Sequence, residues 1–264
     1  MDFVKLVASG NDFILVEDGI PPPFRDLASF AVWACHRQTG IGADGVLLLR
    51  HREAGHIEVT VANPDGSIAR MCANGARCAA LYALRSGATS PLAISVLGRD
   101  QVHYLTAWFT NGLVEMTSPQ PDAVTGPVRI DGLDYYSLDT GTEYAVAFVP
   151  DVDSVDVAEI GPMIRHHPCF GPAGTSVTFA QLLVGELKVR TYERGNEAET
   201  LSCGSGAVAS AVTADHLGLP LGEVVPVRNR SGVPLLVRLA GSGPPFDVLT
   251  LSGPAETVFS GSVG

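Results

Sequence analysis

Long apolar runs are missing from this chain of 264 residues: none reaches the 18 or so that a membrane-spanning helix needs. Basic residues are scarce, Lys and Arg totalling 17 against 28 Asp and Glu, and they form no block or stripe. The resulting net charge of −11 makes nucleic acids and anionic membranes poor partners. Cysteines are sparse and odd in number: Cys35, Cys72, Cys78, Cys169 and Cys203. Such a set does not build a disulfide scaffold, and a reducing cytoplasm is the expected setting. The opening MDFVKLVASGNDFILVEDG lacks the charged-then-apolar order of a secretory signal and reads as a first strand. There is no C-x-x-C pair, phosphate loop or dinucleotide fingerprint, so neither a metal nor a nucleotide cofactor is expected. What is present is a 46% hydrophobic alphabet, enough for a core, punctuated by 29 Gly and 18 Pro that call for many turns.

The chain reads as many short strands and few helices. Runs rich in Val, Ile, Leu, Phe and Thr predict strands at Val4–Leu6, Phe13–Val16, Gly45–Leu49, His56–Val61, Leu92–Val96, Val102–Phe109 and Leu113–Met116. Further strands are expected at Ala145–Val149, Ser176–Leu183, Leu187–Tyr192, Val225–Val227, Leu235–Leu239 and Asp247–Leu251. Helical spacing covers Phe24–Arg37, Asn74–Leu84 and Ala207–Leu217. The Pro-, Gly- and Asp-rich stretch Ser118–Gly132 is the expected boundary between two lobes.

The two halves echo each other. MCANGARCAA (Met71–Ala80) and SCGSGAVASA (Ser202–Ala211) share Cys, Gly, Ala and Ala in register, and each follows a polar loop and precedes an Ala-rich helix. This places Cys72 and Cys203 at helix N-termini, where unpaired backbone N–H groups and a partial positive charge favour a thiolate. The same N–H groups can hold a carboxylate, and Gly75, Gly204 and Gly206 let the backbone come close to a ligand. A carboxylate gripped by helix ends with a thiol on either side suits removal of a proton from the adjacent carbon on one face and its return on the other. That is racemisation or epimerisation. Cys35, Cys78 and Cys169 read instead as small buried hydrophobes.

Several segments together resemble the diaminopimelate epimerase family, cofactor-independent amino-acid racemases: SGNDFILVED (Ser9–Asp18), GIGADGVLLL (Gly40–Leu49), NPDGSIARMCANGARCAA (Asn63–Ala80), YERG (Tyr192–Gly195), ETLSCGSGA (Glu199–Ala207) and LSGPAETVFSG (Leu251–Gly261). The resemblance implies an α+β fold of two pseudo-symmetric lobes, each a mixed β-sheet wrapped around a central helix, with the active site in the cleft between them. The lobes would be 1–116, to which 255–264 returns, and 117–254. Cys72 and Cys203 would be the acid–base pair. Asn11, Asn63, Glu193 and Arg194 match the family's substrate positions, and Asn74–Gly75 and Gly204–Ser205 match the backbone donors to the α-carboxylate. No pyridoxal phosphate or metal is implied; the partner is a small amino-acid substrate, and family members are often homodimers.

The departures bear on the substrate. Where the family has Gly-Asn-Pro-His this chain has GTEY (Gly141–Tyr144), so Thr142 replaces an Asn at the far end of the substrate and Tyr144 replaces a His near the cysteines. Ser176 replaces a second far-end Asn. The expected activity is therefore inversion of the α-carbon of diaminopimelate or, in preference, of another polar amino acid such as histidine or a diamino acid. Two alternatives remain: the diaminopimelate epimerase of lysine and peptidoglycan biosynthesis, and a non-catalytic amino-acid-binding paralogue. A proton-moving isomerase like the phenazine-biosynthesis relatives is ranked low, because those lack the paired cysteines.

Overall fold

A computed structural model describes residues 1–20, 23–53, 55–241 and 243–263. Among them, the strands of the first half are β1 (Asp2–Ala8), β2 (Asn11–Glu17), β3 (Gly45–Glu53), β4 (His56–Ala62), β5 (Leu92–Leu97), β6 (Val102–Thr110) and β7 (Leu113–Thr117). Then follow β8 (Thr125–Ile130), β9 (Leu133–Asp139), β10 (Glu143–Phe148), β11 (Ser176–Leu183), β12 (Glu186–Glu193), β13 (Ala198–Thr200), β14 (Val224–Arg228), β15 (Pro234–Ala240), β16 (Val248–Gly253) and β17 (Glu256–Ser262). The α-helices are α1 (Leu27–Cys35), α2 (Ala73–Arg85), α3 (Val157–Arg165) and α4 (Gly204–His216). The chain divides into two compact units, Met1–Met116 with Gly253–Gly264, and Thr117–Ser252.

Each unit is a mixed sheet, and the two repeat one connectivity. In the first, the pairs β17–β1 and β1–β2 are antiparallel, β2–β3 parallel, β3–β4 antiparallel, β4–β5 parallel, and β5–β6 and β6–β7 antiparallel. In the second, β8–β9 and β9–β10 are antiparallel, β10–β11 parallel, β11–β12 antiparallel, β12–β14 parallel, and β14–β15 and β15–β16 antiparallel. A parallel pair needs a crossover, and α1, α2, α3 and α4 supply the four in turn. The last strand of the chain fills in the first unit the place that β8 holds in the second.

Strand alternation assigns the helices to faces. In the first unit Ile14, Val16, Val46 and Leu48 pack with Phe30, Ala31 and Ala34 of α1. The alternate residues, Leu47 and Val61 among them, meet the second crossover helix, α2, at Gly75. In the second unit Ala145, Ala147, Val177 and Phe179 pack with Val157 and Ile164 of α3, while Thr178 and Thr191 meet α4 at Gly206. Helices α2 and α4 are buried almost all round. Their Ala- and Gly-rich composition fits that position, because small side chains let a sheet curl closely about a helix.

Several boundaries differ from the sequence expectation. Helix α1 starts at Leu27, not Phe24, because Asp26 caps it: the Ser29 N–H donates to Asp26 Oδ1 at 2.8 Å. Phe24 lies ahead of the helix, its ring centroid 5.2 Å from those of both Phe30 and Trp33. Helix α4 begins at Gly204, three residues earlier than read, because the helix-disfavouring Gly-Ser-Gly is held by burial rather than by propensity. The stretch Ser118–Gly132, read as a boundary loop, contains β8 and the start of its hairpin to β9. Strand β8 is exposed at five of its six residues and so lacks a readable alternation. Helix α3 went unread because Gly161 and Pro162 lie inside it. Cys35 and Cys78 are buried as expected, whereas Cys169 is exposed.

Candidate active site

The second crossover helix of each unit opens on a cysteine. Cys72 is the N-cap of α2, with φ −141° and ψ 100°, and its Sγ accepts the Gly75 N–H at 3.4 Å. Cys203 is the N-cap of α4, with φ −126° and ψ 110°, and no side chain caps that helix. Three residues past each cysteine stands a glycine that the packing requires. A Cβ on Gly75 would lie 2.9 Å from Leu47 Cδ2, and one on Gly206 3.1 Å from both the Thr178 and Thr191 hydroxyls. The shared glycine of the two motifs therefore sets how closely the helix N-terminus approaches the sheet.

In the first unit the expected residues other than Cys72 are mostly amides. Asn74, in the first turn of α2, donates from Nδ2 to Asn11 Oδ1 at 3.2 Å and accepts from Arg77 Nη2 at 2.5 Å. Asn11, at the start of β2, in turn donates to Asp44 at 2.7 Å. Behind it lies an ion cluster: Lys5 sits 2.6 Å from Asp12, and Arg37 bridges Asp12 and Asp44 at 2.9 and 2.7 Å. Burial alone would raise the Asp12 carboxyl, but hydrogen bonds from Arg37 and Lys5 outweigh it and hold the group below its usual value. Asn63 follows β4 and is fixed in its own turn, with Nδ2 donating to Ser67 Oγ at 3.0 Å and its carbonyl accepting the Gly66 N–H at 2.9 Å.

In the second unit the expected residues fall into two groups, one on Cys203 and one on Arg194. Tyr144, on β10 and fully buried, places its hydroxyl 3.0 Å from Cys203 Sγ and 2.8 Å from Ser205 Oγ. Arg194, just past β12, donates from Nη2 to Thr142 Oγ1 at 3.0 Å and to the Glu143 carboxylate, and from Nη1 to the Gly174 carbonyl at 3.1 Å. Its own N–H donates to Ser176 Oγ at 3.2 Å. Glu193 accepts a hydrogen bond from the Thr200 hydroxyl.

The electrostatics of Cys203 reverse the sequence expectation of a lowered pKa. Burial first, and the Glu193 carboxylate second, push the thiol well above its ordinary value, although the Tyr144 hydroxyl pulls the other way. A helix N-terminus favours a thiolate only as far as desolvation allows, and Cys203 is 4% exposed. Burial likewise raises the Tyr144 phenol, with Cys203 and Glu193 adding to the shift. Cys203 therefore rests as a thiol beside a neutral phenol at neutral pH.

Sequence reasoning missed Asn229, which lies one residue past β14 and is 4% exposed. Its Oδ1 accepts the Cys203 N–H at 3.1 Å, so it supports the cap from a distant loop. Nothing but the turn-like Asn-Arg-Ser-Gly pattern marks it in the sequence. Thr140 was missed too; its hydroxyl donates to the Ser205 carbonyl at 3.4 Å.

Comparison with known proteins gives a consistent picture. The family model described as diaminopimelate epimerase matches residues 3–120 and 136–257. A protein named diaminopimelate epimerase from Methanothrix thermoacetophila is 39% identical, the match covering 100% of this chain and 96% of that protein. One of the same name from Methanocella arvoryzae is 36% identical over 99% of this chain and 96% of its own length. Among solved structures, a phenazine biosynthesis protein of the PhzF family from Bacillus anthracis superposes with a TM-score of 0.73 at 12% identity, covering 100% of this chain and 99% of that one. A hydroxyproline epimerase from Agrobacterium vitis gives 0.69 at 18% identity, covering 100% and 90%. At such identities the structural likeness speaks for the fold. Among the described residues no helix is long and apolar enough to cross a membrane.

Proposed function

The chain belongs to the diaminopimelate epimerase family, an isomerase family, and from that premise we propose that it inverts the α-carbon of an amino acid with Cys72 and Cys203 as its acid–base pair. One observation carries the assignment of the pair: both cysteines cap the second crossover helix, at the same point of a connectivity that the two units repeat. In one direction the Cys72 thiolate takes the α-proton. The C–H electron pair passes to the α-carbon and is delocalised into the carboxylate, and the Cys203 thiol delivers its proton to the opposite face. The reverse direction exchanges the roles, and no net proton is consumed.

The remaining residues hold and polarise the substrate. Backbone N–H groups of Asn74, Gly75, Gly204 and Ser205, at the helix starts, take the α-carboxylate and stabilise the charge that develops on it. Asn11 and Asn63 supply amide contacts from the first unit. Tyr144 stands where the family has its His. A buried phenol does not accept the thiol proton at neutral pH, so its part is to donate a hydrogen bond to Cys203 when that sulfur becomes a thiolate. Thr142, Ser176, Glu193 and Arg194 bind the polar side chain of the substrate, which is diaminopimelate-like or another polar amino acid. All five cysteines are free, which favours a reducing cytoplasm as the place of action.

The test is solvent exchange. In deuterated water under reducing conditions, the protein incorporates deuterium at the α-carbon of its substrate while inverting it. Cys72→Ser and Cys203→Ser each abolish inversion. Racemisation at the parent rate in both variants would sink the two-thiol mechanism.

A further inference from the structure

Resting on the racemase reading above, we infer that the substrate's side chain ends in a cation, and that Glu143 enforces this by occupying the guanidinium of Arg194. A second carboxylate on a substrate needs a cationic partner, and the named site residues offer only one. Those of the first unit, Asn11, Asn63, Asn74 and Gly75, are uncharged. The cations around them are engaged within the unit: Lys5 and Arg37 on Asp12 and Asp44, and Arg77 on the Asn74 amide. In the second unit the one guanidinium among the named residues is that of Arg194; Arg165, which packs on Gly174, is held by Glu197. Arg194 is already committed to the Glu143 carboxylate, the Thr142 hydroxyl and the Gly174 carbonyl, with its side chain only 14% exposed.

The charge of the named residues of the second unit is therefore negative overall. Glu143 and Glu193 are two carboxylates against one guanidinium. The Glu143 side chain is 42% exposed while it holds Arg194, so its charge remains open to an approaching ligand. An ammonium, guanidinium or imidazolium at the end of a substrate side chain meets attraction there. A terminal carboxylate meets repulsion and must first displace Glu143 from Arg194. Thr142 reinforces the arrangement, because its hydroxyl takes an N–H of the same Nη2 and helps to fix the guanidinium against Glu143. Glu143 is thus a specificity-determining residue, acting through Arg194.

The experiment compares α-deuterium incorporation into L-lysine, L-ornithine and L-histidine with that into LL-diaminopimelate and L-2-aminopimelate. Lysine is diaminopimelate without its distal carboxylate, and 2-aminopimelate is diaminopimelate without its distal amine, so the set separates the two charges. The native protein exchanges lysine or another cationic member at least tenfold faster, in kcat/KM, than 2-aminopimelate. Glu143→Gln, with Glu143→Ala as a second variant, frees Arg194 and lowers that ratio at least tenfold, with thermal melting confirming that the variants fold. A ratio favouring 2-aminopimelate in the native protein, or one that both variants leave unchanged, overturns the inference and leaves the racemase reading intact. Absence of exchange with every member of the set fells the racemase reading, and this inference with it.

Discussion

Replacing Tyr144 with Phe removes one oxygen and tests the electrostatics of Cys203 directly. The hydroxyl stands 3.0 Å from the sulfur and 2.8 Å from Ser205 Oγ. A hydrogen bond to a charged group contributes about 1.5–3 kcal/mol. Near 1.4 kcal/mol per factor of ten, losing it slows formation of the Cys203 thiolate about 10- to 150-fold. The sign of the pH effect follows from the same contact. The Tyr144 hydroxyl lowers a thiol that burial has already raised, so Tyr144→Phe raises it further. The alkaline rise in kcat, for the direction in which Cys203 must lose its proton, then moves to higher pH. In the other direction Cys203 is the acid and becomes the thiolate as it delivers its proton, so the same loss makes it a weaker acid and slows that direction too. The assay is initial α-deuterium incorporation from each enantiomer across a pH series, with kcat and KM separated. Equal kcat and an unmoved pH profile in Tyr144→Phe would refute the reasoning.

Two further substitutions probe the frame that holds the thiols. Asn229→Ala leaves the buried Cys203 N–H without its acceptor and costs about 1–3 kcal/mol of stability; a denaturant titration checks this, and an unchanged midpoint would show that the contact is dispensable. Gly206→Ala puts a methyl group 3.1 Å from the Thr178 and Thr191 hydroxyls and 3.3 Å from Cys203 Sγ. It should lower kcat much more than stability, because the roughly 1 kcal/mol that Ala gains over Gly in a helix partly offsets the 1–3 kcal/mol or so typical of overpacking; parallel kinetics and melting read the two effects separately.

How far the sequence could be read depended on which force shapes each element. Strands with one buried face, such as β4 and β15, alternate visibly and were found within a residue or so of their ends. Helices α2 and α4 were found through their Ala-rich bodies, but their starts were obscured where Gly and Asn hold a helix only because the surrounding sheet buries it. The exposed hairpin strand β8 and the Gly-Pro-containing α3 carry patterns that local propensity reads as loops. At the candidate site, the place of the two cysteines at helix starts was legible because a repeated short motif marks it. Asn229 was not, since a buried acceptor reaching a backbone N–H from 26 residues away leaves none. The pKa of Cys203 was misjudged for a related reason: a helix terminus can be seen in a sequence, whereas desolvation depends on the folded surroundings.

The repeated connectivity has a consequence for how the reaction is divided. A racemase must treat two mirror-image substrates alike at the α-carbon, yet the substrate side chain must be held in one place for both. Equal placement of Cys72 and Cys203 on equivalent helices serves the first need. The second requires the halves to differ, and they differ in chemistry while sharing topology. In the first unit the named residues are neutral amides, Asn74 bonded to Asn11 and, in its own turn, Asn63. In the second unit Cys203 has a phenol and a carboxylate beside it, Tyr144 and Glu193, and the named residues add a carboxylate paired with a guanidinium, Glu143 and Arg194. The position after β4 carries Asn63 where β12 ends on Glu193 and is followed by Arg194, and the start of β2 carries Asn11 where the start of β10 follows Thr142. On the proposed assignment, selectivity for the side chain resides in the second unit. Substitutions that change which amino acid is accepted are then expected at the starts of β10 and β11 and around the end of β12, and those that abolish inversion for every amino acid at the two cysteines.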